Sequence, residues 1–230
     1  IQIAITFVAF VILFMAPGND MRVASEITTW MPGYKELSVG NHLFMTIQWM
    51  LSSFANEGKA FFIAIWAAGF LLLMKSKKAK VYQILAVVFS VVALLPYAGI
   101  SFFSEMGIGY IDIEQRLTEL QTWQTMNIQN RIAFFWWIAA VLFTLVLLWK
   151  VTGHSVFISM VFLGGIASEA VLHFSPTIYA SGARVYYLTD LMYLFIILWM
   201  VMHMDSEKKK NLFIAGVVVL GVANFLSQYS

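Results

Sequence analysis

Polar residues stand where the apolar stretches of this chain end, and the first group follows the first stretch. From residue 17 the chain reads Pro-Gly-Asn-Asp-Met-Arg, which contains Asn19, Asp20 and Arg22. Its proline cannot continue a helix and its glycine permits a left-handed turn, so we expect a sharp turn that presents the three polar side chains together. The arginine could donate two parallel hydrogen bonds to a phosphate. The alternative is an ordinary helix stop with an Asp–Arg surface pair.

The second group lies at 168–184, at the junction of two later apolar stretches. Glu169 and His173 are four residues apart and therefore share a face of a predicted helix, while Asp190 is expected about two turns inside the next helix. Ionisable groups at such depths usually face a bundle interior or a watery cavity. Together with Arg184 they could serve acid–base chemistry or bind phosphate. The alternative is a structural cluster in which Arg184 or His173 neutralises Glu169.

Other kinds of chemistry have no matching motif. The chain has no cysteine, which excludes thiolate ligands and a cysteine nucleophile, and it has no P-loop, HExxH or GxSxG pattern. His42, His154 and His203 have no partner at metal-ligand spacing. We therefore predict no certain cofactor, leave a divalent cation open, and expect no nucleic-acid partner.

The composition indicates where such residues have to be held. The chain is 61% hydrophobic and 11% charged, with a mean hydropathy of +0.81, whereas soluble domains are about 45–50% apolar and about 25% charged. Seven apolar stretches can be recognised, at 1–16, 58–74, 81–103, 131–149, 154–173, 185–204 and 211–227. We predict an all-α, polytopic transmembrane bundle of about seven spans that forms a single domain over residues 1–230.

The lysines predict the orientation of this bundle. They cluster in three short connections, at Lys75–Lys80, Lys150 and Lys208–Lys210, which alternate so that all three fall on one side. Short basic connections are cytoplasmic, so we predict a multi-pass protein of the cell (inner) membrane whose long connections and C-terminus lie outside. Of the 12 Asp and Glu residues, only Asp205 and Glu207 fall in the basic connections. The polar chemistry is therefore expected outside.

Both long outer connections, 17–57 and 104–130, contain an amphipathic stretch. One apolar stripe consists of Leu43, Phe44, Ile47, Met50, Leu51 and Phe54, and the other of Ile113, Leu117 and Leu120. Such helices commonly lie in the membrane interface, where they either cover the bundle end or form walls of a site. The first apolar run is short for a span of about 20 residues. We therefore expect the chain to be the C-terminal part of a longer protein.

Two motifs resemble a group of bacterial multi-spanning proteins. The Ala-Pro-Gly-Asn-Asp-Met-Arg segment resembles that group's APGN…R segment. The Phe-Ser-Pro-Thr-Ile-Tyr-Ala-Ser-Gly-Ala-Arg segment at 174–184, with the tyrosine-rich stretch after it, resembles the group's C-terminal half. The group is placed among GT-C-type glycosyltransferases, including glucosyltransferases that decorate O-antigen and other surface polysaccharides.

The resemblance implies an enzyme that transfers a sugar from a polyprenyl-phosphate carrier to a glycan acceptor outside the cytoplasm. The donor phosphate would need an arginine at the lipid headgroup level, and the acceptor hydroxyl would need a carboxylate base. We predict catalytic roles for Asp20, Glu169 and Asp190, and substrate-binding roles for Asn19, Arg22, His173, Tyr179 and Arg184. The catalytic acid of such enzymes usually lies in the first outer loop, so a longer natural chain would leave Asp20 as a residue lining the site.

Two other classes of function stay open on the sequence. One is a carrier or flippase for a lipid-linked or small polar substrate, with Glu169 and Asp190 as coupling acids, although no inverted repeat is visible. The other is a noncatalytic membrane subunit whose outer helices bind a partner protein.

Overall fold

The computed structural model describes residues 19–30, 34–98, 128–153, 155–173 and 186–227, and every regular element among them is helical. The prediction of an all-α protein is thereby confirmed for this part of the chain. In chain order the α-helices are α1 (Asn19–Trp30), α2 (Val39–Asn56), α3 (Lys59–Leu73), α4 (Lys80–Leu94), α5 (Ile128–Val151), α6 (Val156–His173), α7 (Tyr187–Met202) and α8 (Glu207–Ser227). Short 3₁₀ turns occupy Tyr34–Glu36, Lys77–Ala79 and Leu95–Ala98.

Six of the seven predicted apolar stretches overlap α3 to α8 in order, although α4 ends at Leu94 and the last part of the third stretch, 99–103, lies outside the described residues, as does the first stretch. Arg131–Val151 is the one described helix that is long and apolar enough to cross a membrane alone. Val39–Ala55 and Lys59–Leu73 meet the same criterion as a pair, with a bend of 68° between them. The helices at Lys80–Leu94, Val156–Val171 and Tyr187–Met202 are apolar but shorter. The number of spans therefore stays a prediction.

α3 is the central helix of the bundle, because it packs against α2, α4, α5, α7 and α8. Its sequence is apolar around the whole circumference after Lys59, which is typical of a helix that lies in the core of a large bundle or in a membrane. The indole nitrogen of Trp66 donates a hydrogen bond of 2.8 Å to Thr144 Oγ1 on α5. Thr144 Oγ1 in turn donates to the Ala140 carbonyl at 2.7 Å. These bonds satisfy the polar atoms that the α3–α5 contact buries.

α2 is one of the two predicted amphipathic helices, and the structure confirms that it is helical. The predicted apolar stripe is divided, however, since Leu51 and Phe54 are buried while Leu43 and Ile47 are exposed. Gln48, which was expected outside the stripe, is also buried. The reason is that α2 packs against α3, α5 and α6 instead of resting on one surface. The second predicted stripe, at 113–120, lies outside the described residues.

Two lysine-bearing connections meet at the C-terminal end of α3. Asp205, between α7 and α8, lies 2.6 Å from Lys75 Nζ and 3.0 Å from Lys209 Nζ. Lys209 Nζ also donates a hydrogen bond of 2.9 Å to the Leu71 carbonyl, in the last turn of α3, where carbonyls lack helical partners. We call Lys75, Asp205 and Lys209 the lysine cluster. It joins the α3–α4 and α7–α8 connections at one end of the bundle.

The lysine cluster predicts an acid-sensitive contribution to stability. Hydrogen bonds from Lys75 and Lys209 lower the pKa of Asp205 from 3.8 to about 2. A pKa that is lower in the folded state stabilises the fold above about pH 4, and this contribution is lost as the pH falls through about 2. We therefore expect Asp205→Asn to reduce the fall in the thermal unfolding midpoint between these two pH values. The effect is expected to be small because Asp205 is exposed.

The measurement is circular dichroism of the protein in detergent at closely spaced pH values. Glu207→Gln is the matched control, because Glu207, in the first turn of α8, pairs with Lys210 at 2.8 Å, whereas Lys75 and Lys209 pair with Asp205. An identical pH dependence in the wild type and in Asp205→Asn would contradict this account.

Candidate functional site

A cavity of about 230 Å³ lies between α2, α3, α6 and α7. It is next to Gly58, which precedes α3, whereas the lysine cluster lies beyond the other end of α3. Its polar lining consists of Ser53, Glu57, Glu169, Tyr186, Thr189, Asp190 and Tyr193, and its rings of Phe54, Phe61 and the two tyrosines. We call this space the acidic cavity. It places three carboxylates at the opposite end of the bundle from the basic connections.

A tight break between α2 and α3 positions Glu57. The backbone N–H groups of Glu57 and Gly58 both donate to the Ser53 carbonyl, at 2.8 and 2.9 Å, which closes the last turn of α2. A β-carbon at Gly58 would lie only 3.3 Å from Phe54 Cα, so glycine allows α3 to begin directly after the turn. The chain then bends by 68° into α3. Glu57 is thereby held in the lining of the acidic cavity.

Close packing of α6 against α7 positions the other polar groups. Thr189 Oγ1 donates a hydrogen bond of 3.2 Å to the Gly165 carbonyl. A β-carbon at Gly165 would lie 3.1 Å from Cε1 of the Tyr193 ring, so the glycine permits the close approach of that ring. Tyr193 is 1% exposed and packs against Phe62 and Phe162, with ring centres 5.6 and 5.7 Å away. Asp190 and Tyr193, three residues apart on α7, consequently face the cavity together.

The acidic cavity brings three carboxylates into one small space. Glu169 is 2% exposed, and Glu57 and Asp190 line the cavity with it. The buried hydroxyl of Tyr193 has no hydrogen-bond partner within the described part of the chain. Buried polar groups are costly unless they are hydrogen-bonded. A ligand in the cavity could therefore donate hydrogen bonds to the carboxylates, and the Tyr193 hydroxyl could donate or accept one further hydrogen bond.

The structure brings two of the predicted site residues together, since Glu169 and Asp190 both line the acidic cavity. Asp190 lies in the first turn of α7 instead of about two turns inside it, because α7 begins at Tyr187. His173 is the last residue of α6, and its side chain lies outside the described part of the structure. The cavity is thus nearer to the helix ends than the sequence indicated.

The other predicted site residues lie either in α1 or outside the described residues. The turn predicted at Pro17 and Gly18 lies outside the described residues, and Asn19, Asp20 and Arg22, which follow it, lie in α1, which begins at Asn19. Their side chains lie outside the described part of the structure, as do the whole of Tyr179 and Arg184. The phosphate-binding role of the two arginines therefore stays a prediction.

Sequence reasoning missed Glu57, Thr189 and Tyr193 as parts of the site. Thr189 and Tyr193 could have been found, since with Tyr186 and Asp190 they recur every three or four residues along one helical face. Glu57 had no comparable signal, because it reaches the cavity only through the packing of α2 against α6. Among the described residues, no group of three His, Asp or Glu side chains is arranged to hold a metal ion.

No family model, no curated protein sequence and no solved structure matches this chain.

Proposed function

We propose that this chain is the membrane-embedded part of a glycosyltransferase that moves a sugar from a polyprenyl-phosphate carrier to a cell-surface glycan or lipid. The observation that carries the proposal is the acidic cavity, where Glu57, Glu169 and Asp190 stand beside the rings of Phe61 and Tyr193. Sugar hydroxyls donate hydrogen bonds to carboxylates, and aromatic rings offer a flat apolar face to a sugar ring. Carboxylates and rings on one small cavity are therefore suited to a sugar.

The size of the acidic cavity restricts what it holds. Its volume of about 230 Å³ is below the range of about 300–1,000 Å³ that drug-sized ligands occupy. One sugar ring suits this space, whereas the isoprenoid chain of the donor has to lie in the membrane outside it.

In the proposed reaction, an acceptor hydroxyl oxygen attacks the anomeric carbon of the donor sugar. The bond from that carbon to the phosphate oxygen breaks, the polyprenyl phosphate leaves with the electron pair, and the hydroxyl proton passes to a carboxylate. We assign this general-base role to Glu169, because it is the most enclosed carboxylate of the cavity. Asp190 and Glu57 bind sugar hydroxyls, and the Tyr193 hydroxyl donates to a further sugar oxygen.

The sidedness of the bundle supports a lipid-linked donor. The basic connections favour the cytoplasm, and the acidic cavity lies at the other end of α3, so it would open toward the outer headgroup region. A polyprenyl-phosphate sugar carries its phosphate and sugar at this level. Arg22 and Arg184 are the proposed partners of that phosphate.

A direct transfer assay tests this function. Membranes that contain the full-length gene product are incubated with radiolabelled polyprenyl-phosphate glucose, and label in the polysaccharide and lipid fractions is counted. We expect Asp190→Asn to reduce transfer about tenfold, because the amide cannot replace a charge-assisted hydrogen bond to a sugar hydroxyl. Glu207→Gln, on the basic connection, is the matched control. Equal transfer by the wild type and Asp190→Asn would contradict the role of Asp190.

A carrier that couples to protons or cations is the second candidate, and one observation favours it. Glu169, which is 2% exposed, and Asp190 line the same cavity although both stand within apolar stretches of the sequence. Acids in such surroundings commonly serve proton relays. Uptake of a labelled sugar into proteoliposomes under an imposed pH gradient, without any transfer product, would favour the carrier over the transferase.

A further inference from the structure

An apolar groove of about 690 Å³ runs along the face of α3 that points away from the acidic cavity. α3 forms its floor, and α4 and α8 form its walls. Ile63, Ala67 and Leu71 follow one another along the floor at helical spacing. The wall residues Val87 and Val219 are 45% and 69% exposed, so the groove is open along its length within the described part of the chain. We call it the lateral groove.

A positive charge stands at one end of the lateral groove. Lys59 Nζ lies 4.5 Å from the centre of the Tyr97 ring, and Tyr97 itself lines the groove. No carboxylate of the described residues forms an ion pair with Lys59, so its ammonium contacts an aromatic face and lacks a counter-ion there. Lys59 begins α3, one helical turn before Ile63. The charge and the apolar floor therefore lie in line on one helix.

The length of the groove corresponds to one lipid chain. Its floor runs from Ile63 to Leu71, which is about 12 Å of helix at about 1.5 Å per residue. One leaflet of a bilayer has a hydrocarbon depth of about 15 Å, half of the about 30 Å core. A chain that fills the groove would place its headgroup about one turn beyond Ile63, at the level of Lys59.

We propose that the lateral groove binds one anionic phospholipid of the surrounding bilayer, with an acyl chain along α3 and its phosphate paired with Lys59. This proposal uses the membrane location but not the transferase activity. The donor lipid is a poorer occupant, because its sugar has to reach the acidic cavity, which lies on the opposite face of α3. The bound lipid would cover the open side of α3 between α4 and α8.

A measurement of the lipids that the purified protein retains tests the role of the Lys59 charge. The purified protein is equilibrated in detergent with equal amounts of phosphatidylglycerol and phosphatidylcholine, and the bound lipids are counted by native mass spectrometry. We expect the wild type to favour phosphatidylglycerol about fivefold, as one lysine near an anionic lipid allows. Lys59→Gln should lose this preference, while Lys59→Arg should keep it. Lys208→Gln, an exposed lysine on the basic connection, is the control. An unchanged preference in Lys59→Gln would overturn the proposal.

A second pair of variants tests the groove itself. A β-carbon at Gly216 or at Gly221 would meet no atom within 4 Å, but only Gly216 lines the lateral groove. We expect Gly216→Leu to reduce the retained lipid at least twofold, because its side chain occupies the space of the acyl chain. Gly221→Leu, on the same helix, should retain lipid as the wild type does. Equal retention by the two variants would overturn the proposal whatever the outcome of the transfer assay.

Discussion

Glu169→Gln is expected to reduce sugar transfer at least about 100-fold, because a positioned general base contributes about 10²–10⁴-fold to a reaction. The amide keeps the size of the side chain but cannot take the proton of the acceptor hydroxyl. Glu169 is 2% exposed and lines the acidic cavity with Asp190. The loss should fall on kcat and leave donor binding largely intact.

The measurement is the initial rate of transfer at several donor concentrations, together with the pH profile of the residual rate. If Glu169 is the base, the residual rate of Glu169→Gln should rise with pH, because hydroxide takes the place of the missing carboxylate. If Glu169 is only structural, the variant should have the same pH profile as the wild type. Glu207→Gln again controls for the loss of one acid, and the thermal unfolding midpoint controls for folding. A rate within threefold of the wild type would exclude Glu169 as the base.

Much of the helical framework could be predicted from the sequence, because apolar runs such as 131–149 and 185–204 have few alternatives to helical structure. The helix ends differ by a few residues, as for Tyr187–Met202, since hydropathy does not distinguish the last helical residue from an apolar loop residue. The surroundings of α2 could not be predicted. A helix with Gln48 in it was expected at a surface, and only its packing against three other helices buries that amide.

Those residues of the candidate site could be predicted that are ionisable and stand inside an apolar stretch. Glu169 and Asp190 are ionisable groups inside apolar stretches, and this conflict identified both from sequence alone. Glu57 is not unusual in its sequence surroundings, because it follows the last residue of α2 and a polar residue is common at a helix end. The close approach of Tyr193 to Gly165 is likewise a property of two helices together, which no pattern within α7 contains.

The second large effect concerns the packing that keeps α3 at the centre. A β-carbon at Gly69 would lie 2.7 Å from Cδ2 and 3.0 Å from Cγ of Leu147 on α5. Leu147 is completely buried, so its side chain has little space into which it could move. One turn away on α3, the Trp66–Thr144 hydrogen bond fixes the same pair of helices. We therefore expect Gly69→Leu to lower the free energy of unfolding by about 3 kcal/mol or more, at the upper end of overpacking effects.

The measurement is unfolding in mixed detergent micelles, followed by tryptophan fluorescence, and Gly221→Leu is the matched control. Both glycines lie inside helices and both variants gain the same helix propensity, but a β-carbon at Gly221 would have no atom within 4 Å. The free energy of unfolding of Gly221→Leu should stay within about 0.5 kcal/mol of the wild type. Similar losses in the two variants would mean that α3 and α5 are not in close contact. Because Phe61 and the start of α3 help to line the acidic cavity, a displaced α3 should also reduce sugar transfer in Gly69→Leu.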